Sequence, residues 1–110
     1  FIKIKKFQDL VKQIIVEQNL LEYIAKLVVN TRENAFLYLG ASPRASLAIM
    51  NASKAMAATS GRDFVTPEEI LAVVPSVLRH RIILSPDKEM EGITEDDVIK
   101  QIIQGMDVPR

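Results

Sequence analysis

The residue best placed to do chemistry is Arg44, which follows the Gly-Ala-Ser-Pro stretch at residues 40–43. Serine is a favoured N-cap and proline fits the first helical position, so the pattern predicts a helix with Arg44 in its first turn. First-turn amides lack intrahelical partners and carry the positive end of the helix dipole, which favours a bound anion such as phosphate. We therefore predict an anion contact at Arg44, with Ser42 and Ala45 beside it at the helix start.

A simpler interpretation of Arg44 stays open at this point. The side chain could be solvated, or it could pair with a carboxylate of its own chain, and spacing alone favours this interpretation. The electrostatics of the helix start favour the other view. A guanidinium at the positive end of a helix dipole is slightly unfavourable for the fold, and an external anion would relieve that misfit.

The chain lacks the groups that most enzyme sites need. It has no cysteine and a single histidine, His80, so a thiol nucleophile and a Cys-based or multi-His zinc site are excluded. None of its four glycines precedes a lysine, as a phosphate-binding loop requires, and no Gly-x-Ser-x-Gly elbow is present. Carboxylate pairs such as Glu68 and Glu69 stand at predicted helix starts, where capping explains them. We expect no metal site and no catalysis by this chain alone.

The overall charge excludes further classes of partner. Fourteen basic residues balance fourteen acidic ones, so no net field draws the chain to nucleic acid. No apolar stretch approaches the ~20 residues that span a bilayer, so we expect no membrane insertion. The absence of cysteine fits a cytoplasmic location.

Two alternatives for the function stay open, a helical nucleic-acid-binding domain and a helical protein-interaction module. Against the first, only Arg44 and Lys54 are basic in the helix that would contact DNA.

Apolar residues at helical spacing predict an all-α fold, a small bundle of about five helices with at most a tiny two-stranded β ribbon. The helices are expected over residues 4–15, 18–33, 43–60, 67–81 and 94–106. Two short extended pieces, 36–39 and 62–65, are the expected ribbon, and 87–92 is expected to be a loop.

Helix ends and turns are predicted from individual residues. Gly61 supplies a left-handed stop, and a capping box is expected at Thr66. Thr94 is expected to cap the last helix, with acidic residues in the first turn that favour the helix dipole. Pro75 is expected to kink or break the fourth helix, because an interior proline removes a hydrogen bond and clashes with the preceding turn. Arg62-Asp63 is expected to form a turn pair.

Three ordered motifs resemble a known family. They are residues 39–47 (Leu-Gly-Ala-Ser-Pro-Arg-Ala-Ser-Leu), 61–70 (Gly-Arg-Asp-Phe-Val-Thr-Pro-Glu-Glu-Ile) and 77–86 (Val-Leu-Arg-His-Arg-Ile-Ile-Leu-Ser-Pro). In that order they resemble the C-terminal lid of MoxR-type AAA+ ATPases, which are related to the magnesium-chelatase ATPase subunit. The likeness implies a linker at 1–6, a lid domain over 7–106 and a tail at 107–110, with the ATP-binding core on a missing part of a longer protein.

The resemblance also implies roles for individual residues. Arg44 matches the second sensor, which reaches the terminal phosphate of the nucleotide and stabilises charge during phosphoryl transfer. Arg79 and Arg81 match a Leu-Arg-His-Arg stretch and could face the nucleotide or the next subunit, or simply cap a helix end. ATP and Mg²⁺ are implied for the full-length protein, a predicted ATPase, and no cofactor is expected on this chain alone.

The implied partners follow from the same likeness. They are the protein's own AAA+ core, neighbouring subunits in a ring that is usually a hexamer, and a client protein that can carry a von Willebrand A domain. The implied role is that of a chaperone that matures or activates other proteins in the cytoplasm.

Overall fold

The computed structural model describes residue 9 and residues 13–109, and the expected helix over 4–15 and linker over 1–6 fall largely outside them. Within the described part, five helices and one two-stranded ribbon follow in the order α1 (Gln18–Glu33), β1 (Leu37–Leu39), α2 (Arg44–Thr59), α3 (Pro67–Leu78), β2 (Ile83–Leu84), α4 (Pro86–Met90) and α5 (Glu95–Gln104). The predicted all-α class is confirmed. None of the described helices has the length and apolar character to cross a bilayer.

Helix α1 forms one wall of the core. Its apolar residues recur three and four positions apart, which places them on one helical stripe. The buried members of that stripe are Leu20, Tyr23, Ile24, Leu27 and Val28. Each aliphatic side chain of this kind contributes roughly 1.5–3 kcal/mol when fully buried, so the stripe rather than intrinsic propensity holds α1 in place.

Helix α2 packs closely on α3 because three of the four side chains on its buried face are small. These four fully buried residues lie four positions apart and are Ala45, Ile49, Ser53 and Ala57. The helix ends as predicted, with Gly61 at φ 79°. The Gly61 amide bonds the Ala58 carbonyl and the Arg62 amide bonds the Ala57 carbonyl, both at 3.0 Å, which is the Schellman pattern.

Helix α3 continues through Pro75, so of the two expected outcomes the break does not occur, and the kink stays a prediction. An interior proline costs about 3 kcal/mol or more through the lost hydrogen bond and the clash with the preceding turn. Val74 and Leu78 lie on either side of Pro75 and are almost completely inaccessible. Their burial offsets that cost, which is why tertiary packing overrides the local preference.

The β ribbon pairs different segments from those expected. β1 runs antiparallel to β2, with Leu37 opposite Leu84 and Leu39 opposite Ile83. The predicted pairing of 36–39 with 62–65 is therefore wrong. Leu84 is buried in the core, and this burial brings the later segment beside β1. Residue 64 instead forms a parallel bridge with Ile15.

Two acidic residues near helix starts behave differently. At α5 Thr94 caps the helix as predicted, and the cap is a full capping box: the Asp97 amide bonds the Thr94 hydroxyl at 3.2 Å and the Thr94 amide bonds the Asp97 carboxylate at 3.0 Å. At α3 the Thr66 hydroxyl donates to the Glu69 carboxylate instead, so the expected box is not formed there.

The Glu69 carboxylate is 2% exposed and forms an ion pair with Arg62. This ion pair replaces the predicted turn pair of Arg62 with Asp63. An unpaired carboxylate costs more free energy when it is buried, as Glu69 is, than when it is exposed.

The segment expected to be a loop at 87–92 contains most of the short helix α4. Its Lys88 ammonium lies 4.5 Å from the centre of the Phe36 ring and 3.3 Å from the Glu91 carboxylate. The Ser85 amide also bonds the Phe36 carbonyl at 3.0 Å. These contacts with the residue that precedes β1 hold the segment in a helical turn.

Candidate functional site

The loop that leads into α2 is held against the end of α1. The Ala41 amide donates to the Thr31 hydroxyl at 3.0 Å, and that hydroxyl donates to the Val28 carbonyl at 2.6 Å, all within the buried interior. Gly40 lies so close to α1 that a Cβ there would stand 2.5 Å from both the Arg32 Cα and the Thr31 carbonyl oxygen. The glycine and the threonine together fix where α2 begins relative to α1.

Arg44 is the first residue of α2, and its side chain is exposed. It forms no ion pair with any carboxylate in the part of the chain that the structure describes. Arg44 is thus exposed at a helix start, as an anion contact requires, and the alternative ion pair with the chain's own carboxylates is not found among those residues. The loop that contacts α1 through Gly40 and Ala41 leads to this guanidinium, which stands at the surface with no carboxylate partner among the described residues.

The backbone amides at the start of α2 are largely in use. The Ala45 amide bonds the Ser42 carbonyl at 2.9 Å and the Ser46 amide bonds the Pro43 carbonyl at 3.1 Å. Pro43 already has helical dihedral angles, φ −56° and ψ −23°, and has no N–H. An anion at this helix start would therefore be bound chiefly by the Arg44 guanidinium and less by free backbone amides.

The neighbours predicted at this helix start have different exposures. Ser42 is exposed, whereas Ala45 is fully buried and packs in the core. A ligand contact by either residue stays a prediction.

The two arginines of the third motif have different surroundings. The Arg79 Nε donates to Asp96 at 2.8 Å, and this hydrogen bond and the Asp96 charge raise the pKa of Arg79. Arg81 is exposed and has no ion pair among the described residues. The structure thus ties Arg79 to α5 and leaves Arg81 available.

Arg81 lines an open groove that also contains Ser42. We call it the Arg32–Arg81 groove. It has a volume of ≈ 410 Å³, and its lining consists of Arg32, Leu39, Gly40, Ala41, Ser42, Pro43 and Arg81. No carboxylate lines it, so its two guanidinium groups would favour an anion.

Sequence reasoning missed Arg32. A basic residue in the last turn of a helix is already explained by the helix dipole, so nothing marked it out. The one available signal was Gly40, because a glycine before a helix start can indicate that the backbone passes close to another element. Gly40 alone does not say which element that is, and the structure identifies it as the end of α1 at Arg32.

No group of three or more His, Asp or Glu residues is placed to hold a metal ion within the described part of the chain. The lone histidine, His80, is exposed.

Comparison with known proteins places the chain in a family. A family model described as the AAA lid domain matches residues 29–102. The YeaC protein of Bacillus subtilis is 35% identical over 90% of this chain and 31% of its own length. Chaperone MoxR1 of Mycobacterium tuberculosis is 32% identical over 96% of this chain and 30% of its own length.

A solved structure shows the same fold. It is that of a protein described as an ATPase from Cytophaga hutchinsonii, with a TM-score of 0.87, 32% identity, and coverage of 93% of this chain and 34% of that one. The chain thus spans about a third of the length of these relatives. Because the family model covers most of the sequence, the chain belongs to the AAA lid domain family, with MoxR-type proteins among its relatives.

Proposed function

We propose that this chain is the second-sensor lid of a MoxR-type AAA+ ATPase and that Arg44 contacts the terminal phosphate of ATP bound to the core. The observation that carries the proposal is an exposed guanidinium with no ion pair among the described residues, at a helix start fixed by Gly40 and Thr31. Such a group can bind an external anion without first breaking an internal ion pair.

The mechanism is electrostatic. Negative charge on the phosphoryl group is stabilised by a positioned guanidinium, and the contribution is largest when the donor needs no rearrangement during the reaction. The buried bond between the Ala41 amide and the Thr31 hydroxyl supports the loop that carries Arg44, which keeps rearrangement small. Loss of the contacted phosphate would remove the attraction and let the lid change its angle to the core.

Other residues near the start of α2 would contribute less than Arg44 to phosphate binding. Ser42 and Arg81 share the Arg32–Arg81 groove and could bind phosphate or an acidic side chain of the next subunit. Ala45 could contribute only through its backbone, and its amide already bonds Ser42. Arg79 is engaged by Asp96 and would have to leave that bond to reach a nucleotide.

The cationic, carboxylate-free groove beside the start of α2 suits the phosphates of ATP and does not suit Mg²⁺. We propose that the core of the full-length protein holds the metal and hydrolyses ATP, while this chain supplies the sensor. The name of one relative, Chaperone MoxR1, supports a chaperone role. The further proposals are a ring, usually a hexamer, a client with a von Willebrand A domain, and a cytoplasmic location.

The test is ATP hydrolysis by the intact protein with Arg44 changed to Ala and, separately, to Lys. We expect Arg44→Ala to lower kcat strongly while the melting temperature stays near that of the parent, because surface changes alter stability little. Lys54→Ala, on the same helix, is the matched control and should keep full activity. Equal turnover by Arg44→Ala and the parent protein would reject the proposal.

A further inference from the structure

A second groove runs along α1. It consists of two adjoining clefts with volumes of ≈ 410 and ≈ 320 Å³, which share Asn30 and Met106 in their linings. One wall is α1, and the other is the end of α5 with the irregular segment 106–109 that follows it. We call it the α1–α5 groove. Its residues on α1 run from Asn19 to Glu33, and at 1.5 Å per residue this length is about 21 Å.

Side-chain amides line the α1–α5 groove along its length. Asn19 and Asn30 lie on one face of α1, about three helical turns apart, and Gln101 lines the wall that α5 forms. None of these three amides has a hydrogen bond among the described residues. A side-chain amide both donates and accepts, so it can bond the N–H and the C=O of another backbone. An extended segment leaves those groups free, whereas a helix uses them internally.

The α1–α5 groove has an excess of negative charge. Glu22, Glu33 and Asp107 are exposed in its lining, against the ammonium of Lys26. None of these four groups has an ion pair among the described residues. Glu22 and Lys26 are one helical turn apart on α1 and can offset each other. The Glu33 and Asp107 carboxylates then remain unmatched, which favours a ligand with lysine or arginine side chains.

The cleft at the start of α1 also contains a buried polar group without a partner. Tyr23 lines this cleft and is 3% exposed, and its hydroxyl has no hydrogen-bond partner within the described part of the chain. Buried hydroxyls nearly always have a partner, because an unsatisfied one costs free energy. The opposite wall is the segment 106–109, which is neither helix nor strand. A small outward shift of that segment would bring a donor of a bound ligand within reach of the hydroxyl.

We propose that the α1–α5 groove binds an extended, basic peptide segment of a partner protein. At about 3.3 Å per residue, the groove holds about six residues of such a segment. Lysine or arginine side chains would pair with Glu33 and Asp107. Backbone groups would bond the amides of Asn30 and Gln101. Nucleic acid does not fit this groove, because the net charge of the lining is negative.

This inference goes beyond the proposed sensor role, since it needs neither nucleotide nor Arg44. A segment of about six residues buries little area, so the contact is weak and depends on the pairing of exposed charges. Added salt should therefore weaken it.

Titration with synthetic peptides tests the proposal on the 110-residue chain. The chain has two tyrosines and no tryptophan, so Tyr38→Phe leaves Tyr23 as its one tyrosine reporter. The probe is a capped peptide of about six residues that alternates lysine with threonine, and the control peptide has glutamate in place of lysine. We expect the lysine peptide to change the Tyr23 emission saturably and the glutamate peptide to leave it unchanged. Calorimetric titration of the same pairs gives a readout that does not depend on the tyrosine.

Variants separate binding in the groove from general charge attraction. Glu33→Lys with Asp107→Lys should weaken binding of the lysine peptide roughly tenfold or more. The matched control, Asp87→Lys with Glu89→Lys, makes the same charge change on exposed residues of α4 outside the groove and should stay within about twofold of the parent. Asn30→Ala should weaken binding roughly threefold, because a backbone hydrogen bond is lost. Unfolding curves establish that each variant is folded.

Three outcomes would overturn the proposal: no binding of the lysine peptide by either readout, equal binding of the two peptides, or equal loss of binding in the groove and α4 variants. A second copy of the chain in the groove would appear in sedimentation as a mass that rises with concentration and falls back in the groove variant, and this too would reject the proposal. Because Arg44 is unchanged and no nucleotide is present, these failures leave the sensor proposal standing.

Discussion

Replacing Gly40 by alanine tests whether close packing against α1 fixes the start of α2. A Cβ at this position would lie 2.5 Å from the Arg32 Cα, 2.5 Å from the Thr31 carbonyl oxygen and 2.6 Å from the Arg32 nitrogen. Ordinary contacts begin at 3.4 Å, so the loop must retreat by about 1 Å. All three atoms belong to the backbone of a packed helix, which cannot yield as a flexible side chain would.

The size of the effect follows from what a shift of that kind disrupts. The buried Ala41 amide would move out of range of the Thr31 hydroxyl, now at 3.0 Å. A buried donor without a partner costs about 1–3 kcal/mol, and overpacking adds about 1–3 kcal/mol. We expect Gly40→Ala to lose about 2–6 kcal/mol of the free energy of unfolding. At about 4 °C per kcal/mol, its melting temperature would fall by about 8–24 °C.

Gly105→Ala is the matched control for thermal and urea unfolding. A Cβ at Gly105 would meet its nearest atoms at 3.5 and 3.7 Å, which are ordinary contacts, and its φ of −84° suits any residue. We expect this variant to remain within about 0.5 kcal/mol of the parent. If Gly40→Ala and Gly105→Ala unfold at the same temperature, the close approach of the loop to α1 does not exist as described.

Three further predictions concern the core, the last helix and the ligand. Arg62→Ala should destabilise the fold by about 2–4 kcal/mol in urea unfolding, because it strands the buried Glu69 carboxylate, whereas Asp63→Ala should have little effect. The Thr94 hydrogen bonds lower the pKa of Asp97 below its ordinary 3.8. The ionised carboxylate therefore stabilises the fold above that value, and this contribution is lost as the pH falls through the lowered pKa. The decrease in the free energy of unfolding between pH 7 and pH 3 should therefore be smaller in Asp97→Asn than in the parent. Calorimetric titration of the chain alone with ATP should show weak binding or none, and tight magnesium-dependent binding would contradict the assignment of the main phosphate contacts to the core.

Much of the fold could be predicted because the spacing of apolar residues along a helix, and the residues at which a helix begins or ends, depend on neighbouring positions in the chain. The apolar spacing of α1 places its buried face correctly, and Gly61 ends α2 as expected. Thr94 caps α5 as expected, and Asp97 completes the cap by accepting from the Thr94 amide. The position of Arg44 in the first turn of a helix followed from the same local signals, and the structure adds that Gly40 and Thr31 support that helix start.

The features that sequence reasoning missed depend on distant contacts. β1 pairs with β2 rather than with 62–65 because burial of Leu84 decides between two short candidate segments. The Arg62–Glu69 pair exists because α3 buries a carboxylate that a first-turn position normally leaves exposed. Arg32 enters the groove only because the loop at Gly40 crosses the end of α1. Spacing along the chain carries none of this information.

The proposed role of Arg44 is to stabilise charge on a phosphate held by another domain. The most direct test of that role is the kcat for ATP hydrolysis by the intact protein at saturating ATP, compared between Arg44→Ala and Lys54→Ala. We predict that Arg44→Ala loses about 100-fold in kcat, in line with the loss of one preorganised charge-stabilising donor, and that Lys54→Ala matches the parent. An Arg44→Ala protein that turns over ATP as fast as Lys54→Ala would contradict this role.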